Sequence, residues 1–205
     1  MQRSWPFSYN RTLADSSRLL QGGVSTGFRD AAWLVGISAL TALCVAKLDF
    51  SLRIPGHAIL RSIIPITFGL SLVPRRMSGF VLSGGAFGFM ALFSLFGVGW
   101  PGFGAMTSML MIGPLLDVST WNAKPGWGLY VRCGLAGLGA NALAFGIRAG
   151  GKAAGLDALG MRPLAKWYSY AAFTYLLCGL LAGVICAAVW FHWSGRTRPQ
   201  ESETA

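Results

Sequence analysis

The sequence predicts an all-α, polytopic membrane protein with six transmembrane helices and both termini in the cytoplasm. Hydrophobic residues make up 54% of the 205 residues and charged residues only 12%, about half of the ~25% usual in soluble globular proteins. The hydrophobic residues are concentrated in six runs, and basic residues are distributed unevenly among the segments between them. This composition excludes a disordered chain, a disulfide scaffold and an ordinary soluble domain.

The chain divides into three predicted parts. Residues 1–30 are polar, carry four arginines and lack the short apolar core of a secretory signal, so we interpret them as a cytoplasmic extension. Residues 31–193 form the transmembrane domain. Residues 194–205 form a polar cytoplasmic tail.

Four of the six runs are strongly apolar. A helix rises ~1.5 Å per residue and must cross a hydrocarbon core of ~30 Å. The first run is at the short limit and the other three reach or approach this thickness, so all four are predicted to span the membrane. These runs are Ala31–Ala46, Ser78–Trp100, Trp127–Ile147 and Tyr168–Trp193.

The two remaining runs are shorter and interrupted. Ala58–Val73 carries Arg61 and Pro65, and Phe103–Val118 carries Pro114. Charges and prolines are tolerated at membrane depth where they face protein or a water-filled cavity instead of lipid. We therefore expect the second and fourth helices to border a cavity.

Basic residues predict the orientation. With six spans both termini lie on one side, which collects nine Lys and Arg residues against six on the other, and the more basic side faces the cytoplasm. The last outer loop, Arg148 to Lys166, holds four of those six and works against this rule. It is either a mouth that attracts anions or a contact with lipid headgroups. We attribute the net charge of +10 to anionic lipid, with no nucleic-acid partner.

Polar residues at a similar depth near the outer surface form a candidate pocket for a small molecule. An arginine can clamp a carboxylate or phosphate with two bonds, an asparagine offers both a donor and an acceptor, and a tyrosine supplies a flat wall with a polar tip. The predicted substrate-binding residues are His57, Arg61, Thr107, Ser108, Asn141, Thr174 and Tyr175.

Each of these residues also has a purely structural alternative. Arg61 can extend its charge to the headgroups, Asn141 can bond a neighbouring helix, and Ser and Thr hydroxyls often bond their own helix. Tryptophans at the ends of runs are interpreted as an aromatic belt at the membrane surfaces. They are Trp33, Trp127, Trp167, Trp190 and Trp193.

The sequence predicts no enzyme. It lacks a nucleophile elbow, a phosphate loop, a dinucleotide fingerprint and a His-Glu-x-x-His motif. His57 and His192 lie near opposite membrane surfaces on this topology, so they cannot share a metal. The four cysteines lie inside apolar runs without a Cys-x-x-Cys pair and are interpreted as packing residues. We therefore expect no catalytic residue, metal or cofactor.

Small residues recur every four positions in the first helix, as Ser38, Ala42 and Ala46. Such a stripe lets membrane helices approach closely. It is either a docking face for another subunit or a packing face within the chain's own bundle. Comparable stripes in the fifth and sixth helices are Ala136, Ala140, Ala144 and Gly179, Gly183, Ala187.

Residues 39–89 combine several of these features. An Ala42-x-x-x-Ala46 helix is followed by an Ile54-Pro55-Gly56 loop, a Pro74-Arg75-Arg76 turn and a glycine-rich third helix. In pattern and arrangement, this stretch resembles the S components, the substrate-binding subunits of energy-coupling factor (ECF) vitamin transporters. Six helices with both ends inside extend the resemblance over roughly residues 31–193.

The resemblance implies a function and partners. In that family the Ala-x-x-x-Ala face docks on a transmembrane coupling subunit driven by two ATPase subunits, and the loop after helix 1 gates the outer pocket. It implies docking through Ser38, Ala42 and Ala46. The implied gate is the loop of residues 52–57, with Arg53, Pro55 and Gly56.

The expected protein is thus a multi-pass subunit of the inner (plasma) membrane that captures a vitamin-like molecule from outside. Arg61 and the basic outer loop favour an anionic one. Cobalt and nickel members of the family begin with a His close behind Met1, whereas this chain begins Met-Gln-Arg-Ser, which argues against a metal substrate. The alternative is a non-transporting accessory subunit of a larger membrane complex.

Overall fold

The computed structural model describes residues 24–48, 54–73, 75, 77–98, 101–120, 127–155 and 164–194. These residues form helices and turns without a strand, so the all-α class is confirmed for the described part of the chain. Four of the helices (α1, α3, α5 and α6) are long and apolar enough to cross a membrane. The helices are α1 (Val24–Lys47), α2 (Ala58–Leu72), α3 (Ser78–Leu95), α4 (Phe103–Thr120), α5 (Trp127–Ala153) and α6 (Leu164–Ser194).

The end of α5 differs from the prediction. The apolar run was expected to end at Ile147, but the helix continues to Ala153 because nothing breaks it before Gly155. Gly155 has a φ of +75° and its N–H bonds the Lys152 carbonyl at 3.1 Å, a left-handed helix end that favours glycine. Assigning Arg148 and Lys152 to a loop was therefore wrong, since both lie on α5.

Helix α2 is largely buried by other helices. It has 15 residues, or ~22 Å at ~1.5 Å per residue, and it packs against α1, α3, α4 and α6. Ile59, Ile63 and Ile66 are fully buried, and Pro65 is buried too. Because neighbouring helices bury Pro65, this short helix tolerates a proline that would be costly against lipid. The remaining helices pack as α1 with α3, α3 with α4, α4 with α5, and α5 with α6.

Two helix pairs touch through their backbones. A Cβ added at Gly137 of α5 would overlap the Gly179 carbonyl of α6, and one added at Gly183 would overlap the Cys133 carbonyl. Gly79 of α3 and Gly113 of α4 meet in the same way. The small residues of α6 therefore pack within the chain's own bundle, where glycine allows a closer approach than any other residue.

The small-residue stripe of α1 also lies against the chain itself. Ser38 donates a hydrogen bond to the Leu82 carbonyl of α3 at 3.1 Å, and Ala42 is fully buried in a cluster with Ala86. Ala46 packs against the same cluster. Of the two alternatives for this stripe, the structure has the intrachain one, so a partner subunit cannot contact Ser38 and Ala42 unless α3 moves.

The described acidic side chains lie together at one end of the bundle. Asp117, near the end of α4, accepts hydrogen bonds from the backbone N–H groups of Gly79 (3.0 Å) and Phe80 (2.8 Å). It thereby satisfies two of the N–H groups that the start of α3 leaves without helical partners. Asp30, near the start of α1, forms an ion pair with Arg75. We call this the acidic end of the bundle.

Candidate ligand-binding site

The opposite end of the bundle gathers the ends of α1 and α5 and the starts of α2, α4 and α6. Tyr175 of α6 contacts both Gly56, just before α2, and Gly104 of α4. The described charged side chains on these helix ends are all basic, and we call this region the basic end. They are Lys47, Arg61, Arg148 and Lys152.

His57 and Arg61 form a linked pair at the start of α2, one helical turn apart. His57 Nδ1 lies 2.5 Å from the Ile54 carbonyl oxygen, and Arg61 Nη2 lies 2.7 Å from His57 Nε2. A carbonyl only accepts and a guanidinium only donates. With these partners, His57 Nδ1 donates to the Ile54 carbonyl and its Nε2 accepts from Arg61. Arg61 Nη1 also donates a longer hydrogen bond, of 3.4 Å, to the Val45 carbonyl of α1.

Asn141 joins three segments. It is 0% exposed, and its Nδ2 donates to the Gly56 carbonyl at 3.0 Å and to the backbone carbonyl of Tyr175 at 2.9 Å. The first bond crosses to the turn before α2 and the second crosses to α6. Asn141 thus ties α5 to both neighbours, as a polar residue between membrane helices often does.

One of the expected gate residues, Gly56, contacts this asparagine. Gly56 has a φ of +85°, and a Cβ there would lie 2.8 Å from the Tyr175 Cα, so both the backbone angle and the available space require glycine. Pro55 is half-buried. Arg53 lies outside the described residues.

Tyr175 and Arg148 meet above the asparagine. Tyr175 is 2% exposed and its hydroxyl accepts from Arg148 Nη1 at 3.3 Å. The hydroxyl also lies against Gly104, where an added Cβ would come within 2.7 Å of it. Glycine at position 104 therefore leaves room for the tyrosine hydroxyl between α4 and α5.

An aromatic cluster extends the site toward the end of α5. Phe145 stacks on Trp167 with ring centroids 5.7 Å apart and contacts Tyr175 at 5.8 Å. Arg148 and Lys152 lie 5.5 and 5.4 Å from the Trp167 ring centroid, the arrangement of cation–π contacts. Trp167 is 5% exposed, so its assignment to the surface belt was wrong.

The predicted hydroxyl residues are not drawn into these contacts. Thr107 donates to the Phe103 carbonyl at 2.8 Å, and Ser108 to the Ala105 carbonyl at 3.0 Å. Thr174 donates to the Tyr170 carbonyl at 3.0 Å. Each bonds its own helix, which satisfies the hydroxyl without a ligand. The structure thus connects four of the seven predicted residues: His57, Arg61, Asn141 and Tyr175.

Sequence analysis expected Arg148 and Lys152 at this end only as loop residues, and it did not include Phe145 or Trp167 among the site residues. A spacing of four between Arg148 and Lys152 would have placed both on one helix face if α5 had been extended. Among the described residues, no three His, Cys, Asp or Glu side chains are placed to hold a metal ion.

Comparison with known proteins returns no match: no family model fits the chain, and none of the curated proteins or solved structures matches it. The inference of function therefore depends on the geometry of the basic end.

Proposed function

We propose that this chain is the substrate-binding subunit of an ECF-type importer and that it captures a small, vitamin-like anion at the basic end. The observation that carries the proposal is the chain of contacts at the basic end: Asn141 bonds Gly56 and Tyr175, and Arg61 bonds His57, the residue after Gly56. A cation, an amide and an aromatic ring at the same end of the bundle are groups that small-molecule sites commonly combine. The chain itself performs no bond chemistry in this proposal.

The arginine is the residue best suited to recognise the anion. Arg61 is half-buried between helices, where electrostatic interactions are stronger than in water. His57 and the Val45 carbonyl orient its guanidinium, and an oriented guanidinium loses less freedom when it binds a carboxylate or phosphate. Ionisable residues within membrane helices commonly mark substrate pathways.

The proposed setting is the plasma membrane. Large apolar side chains of α6 face outward, among them Phe173 (67% exposed), Leu177 and Leu181, as expected of a surface in contact with lipid. We propose six spans with the termini and the acidic end in the cytoplasm, which places the basic end outside. A coupling subunit with ATPase partners would supply the energy, docking on surfaces other than the occupied Ser38–Ala42 face.

The orientation predicts which residues can be labelled. Single cysteines at Asn10 and Gln200 should react with a membrane-impermeant maleimide only in inside-out vesicles, and Ala154→Cys only in intact cells. The unmodified chain gives the background, which should be low because three of its four cysteines are buried. Labelling of Ala154→Cys and Gln200→Cys from one side would contradict the six-span proposal.

The function predicts that the protein retains a small molecule when it is purified. We expect one anionic compound at about one molecule per chain in mass spectra of extracts from mild-detergent preparations. Arg61→Gln should lose it, because the charge-assisted contact is removed. Arg132→Gln, an exposed arginine near the start of α5, is the matched control and should retain it. An accessory subunit would carry no such compound in any preparation.

A further inference from the structure

The orientation of the Asn141 side chain is fixed by its neighbours. Its Nδ2 lies 3.0 Å from the Gly56 carbonyl oxygen and 2.9 Å from the Tyr175 carbonyl oxygen. Carbonyl oxygens accept hydrogen bonds and never donate them. The amide nitrogen must therefore face both carbonyls, and both of its hydrogens are used.

The amide oxygen of Asn141 points away from the two carbonyls and accepts no hydrogen bond from the described residues. Asn141 is 0% exposed, and its Oδ1 has no hydrogen-bond partner among the described residues. Buried polar atoms are nearly always hydrogen-bonded, and one that is not indicates a missing water, ion or ligand. Rotating the amide by 180° would not help, because Oδ1 would then face two carbonyl oxygens.

The position of this acceptor connects it with the rest of the basic end. Gly56, whose carbonyl accepts one hydrogen bond from the Asn141 amide, immediately precedes His57, and His57 Nε2 accepts from Arg61. Tyr175, whose carbonyl accepts the second hydrogen bond, contacts Phe145 through its ring and Arg148 through its hydroxyl. A molecule bound among these groups meets cations, aromatic rings and one acceptor.

We propose that Asn141 Oδ1 accepts a hydrogen bond from an N–H or O–H of the substrate, so that the substrate class is small organic anions that also carry a donor. The inference rests on the proposed function and narrows it. Asn141 is then a specificity-determining residue. An analogue that puts an ether oxygen where the donor should be meets Oδ1 with a second acceptor and is rejected, as in other sites with a buried polar group that requires its partner.

Two pairs of acids test this requirement, because the members of each pair share size, shape and charge. Pyrrole-2-carboxylate carries a ring N–H where furan-2-carboxylate carries a ring oxygen, and indole-2-carboxylate differs in the same way from benzofuran-2-carboxylate. Binding to the full-length protein in detergent is measured by calorimetry. We expect the N–H member of at least one pair to bind about tenfold tighter or more, the usual effect of one buried hydrogen bond.

Two variants assign the discrimination to Asn141. Arg61→Gln should weaken both members of a pair by the same factor and leave their ratio unchanged, since it removes only the anion contact. Asn141→Ala should bring the ratio close to one. Should that variant fail to fold, the ratio in the wild type still decides whether the site requires a donor, and an unchanged ratio in Arg61→Gln excludes Arg61 as its origin.

The outcomes separate this inference from the function on which it rests. Equal affinities within both pairs would overturn the donor requirement and leave the anion site standing. If no acid binds, the donor requirement is overturned as well, and the compound retained on purification decides the proposed function independently. A ratio that stays above tenfold in a folded Asn141→Ala protein would also overturn the inference, because another residue would then read the donor.

Discussion

Replacing Gly137 with alanine is expected to destabilise the bundle far more than the same replacement at Gly146 of the same helix. The new Cβ would overlap the Gly179 carbonyl oxygen of α6, and a backbone atom cannot rotate away as a side chain can. The two helices must separate, and the contacts on either side of the glycine are lost. Such overpacking costs ~1–3 kcal/mol and occasionally more. Titration with a denaturing detergent, followed by tryptophan fluorescence, would measure the loss in the free energy of unfolding.

The same helix provides the matched control. Gly146 has nothing within 4 Å of an added Cβ and lies on the exposed face of α5. Gly146→Ala should therefore leave the free energy of unfolding unchanged or raise it by up to ~1 kcal/mol, through the better helix propensity of alanine. Equal stability of Gly137→Ala and Gly146→Ala would show that α5 and α6 do not touch through their backbones.

Much of the helical architecture could be predicted because hydrophobic runs, and the residues that begin or end a helix, can be recognised from the local sequence. The predicted start of α2 at Ala58 and of α3 at Ser78 agree with the structure. The start of α1 does not, since the helix begins at Val24, before the apolar run. Apolar periodicity identifies the part of a helix that contacts lipid or core, whereas a helix continues through polar residues until a residue such as Gly155 stops it.

The partners of the small-residue stripes could not be predicted from spacing. A stripe shows that a close neighbour exists, but the stripe itself looks the same whether that neighbour belongs to the same chain or to another. Ser38 and Ala42 proved to face α3. In α5 the backbone contacts are made by Gly137 and the Cys133 carbonyl, which lie next to the predicted stripe of Ala136, Ala140 and Ala144. Choosing the correct face requires knowing how the helices are arranged around α2.

Only part of the candidate site could be predicted, because only some of its residues are unusual in an apolar helix. Arg61 and Asn141 stood out because a charge and an amide are costly in an apolar helix unless something contacts them. A hydroxyl in an apolar helix does not indicate a ligand in this way, since it can bond the backbone of its own helix, as Thr107 bonds the Phe103 carbonyl. Trp167 was misassigned because its position at the end of a run fits the surface belt, and only the packing of Phe145 against it reveals that it is buried.

Changing Arg61 to Gln is expected to lower the affinity for an anionic ligand by roughly tenfold or more. The charge-assisted pair that it removes is worth ~1.5–3 kcal/mol, at ~1.4 kcal/mol per tenfold change in the dissociation constant. Pyrrole-2-carboxylate is a suitable probe, with affinities measured by calorimetry. Arg61→Lys should recover only part of the loss, because an ammonium cannot form the planar, two-bonded contact of a guanidinium.

The lysine variant is the decisive one, because it separates a binding arginine from one that only extends toward lipid headgroups. A headgroup contact needs a positive charge on a long flexible stem, and lysine supplies both. A headgroup contact does not need the hydrogen bond from Arg61 Nη2 to His57 Nε2, 2.7 Å long, which orients the guanidinium. If Arg61 recognises the anion, affinities should fall in the order Arg, Lys, Gln while the unliganded proteins unfold at similar denaturant concentrations. Indistinguishable affinities for all three would remove Arg61 from the site, and with it the main argument that this end of the bundle binds an anion.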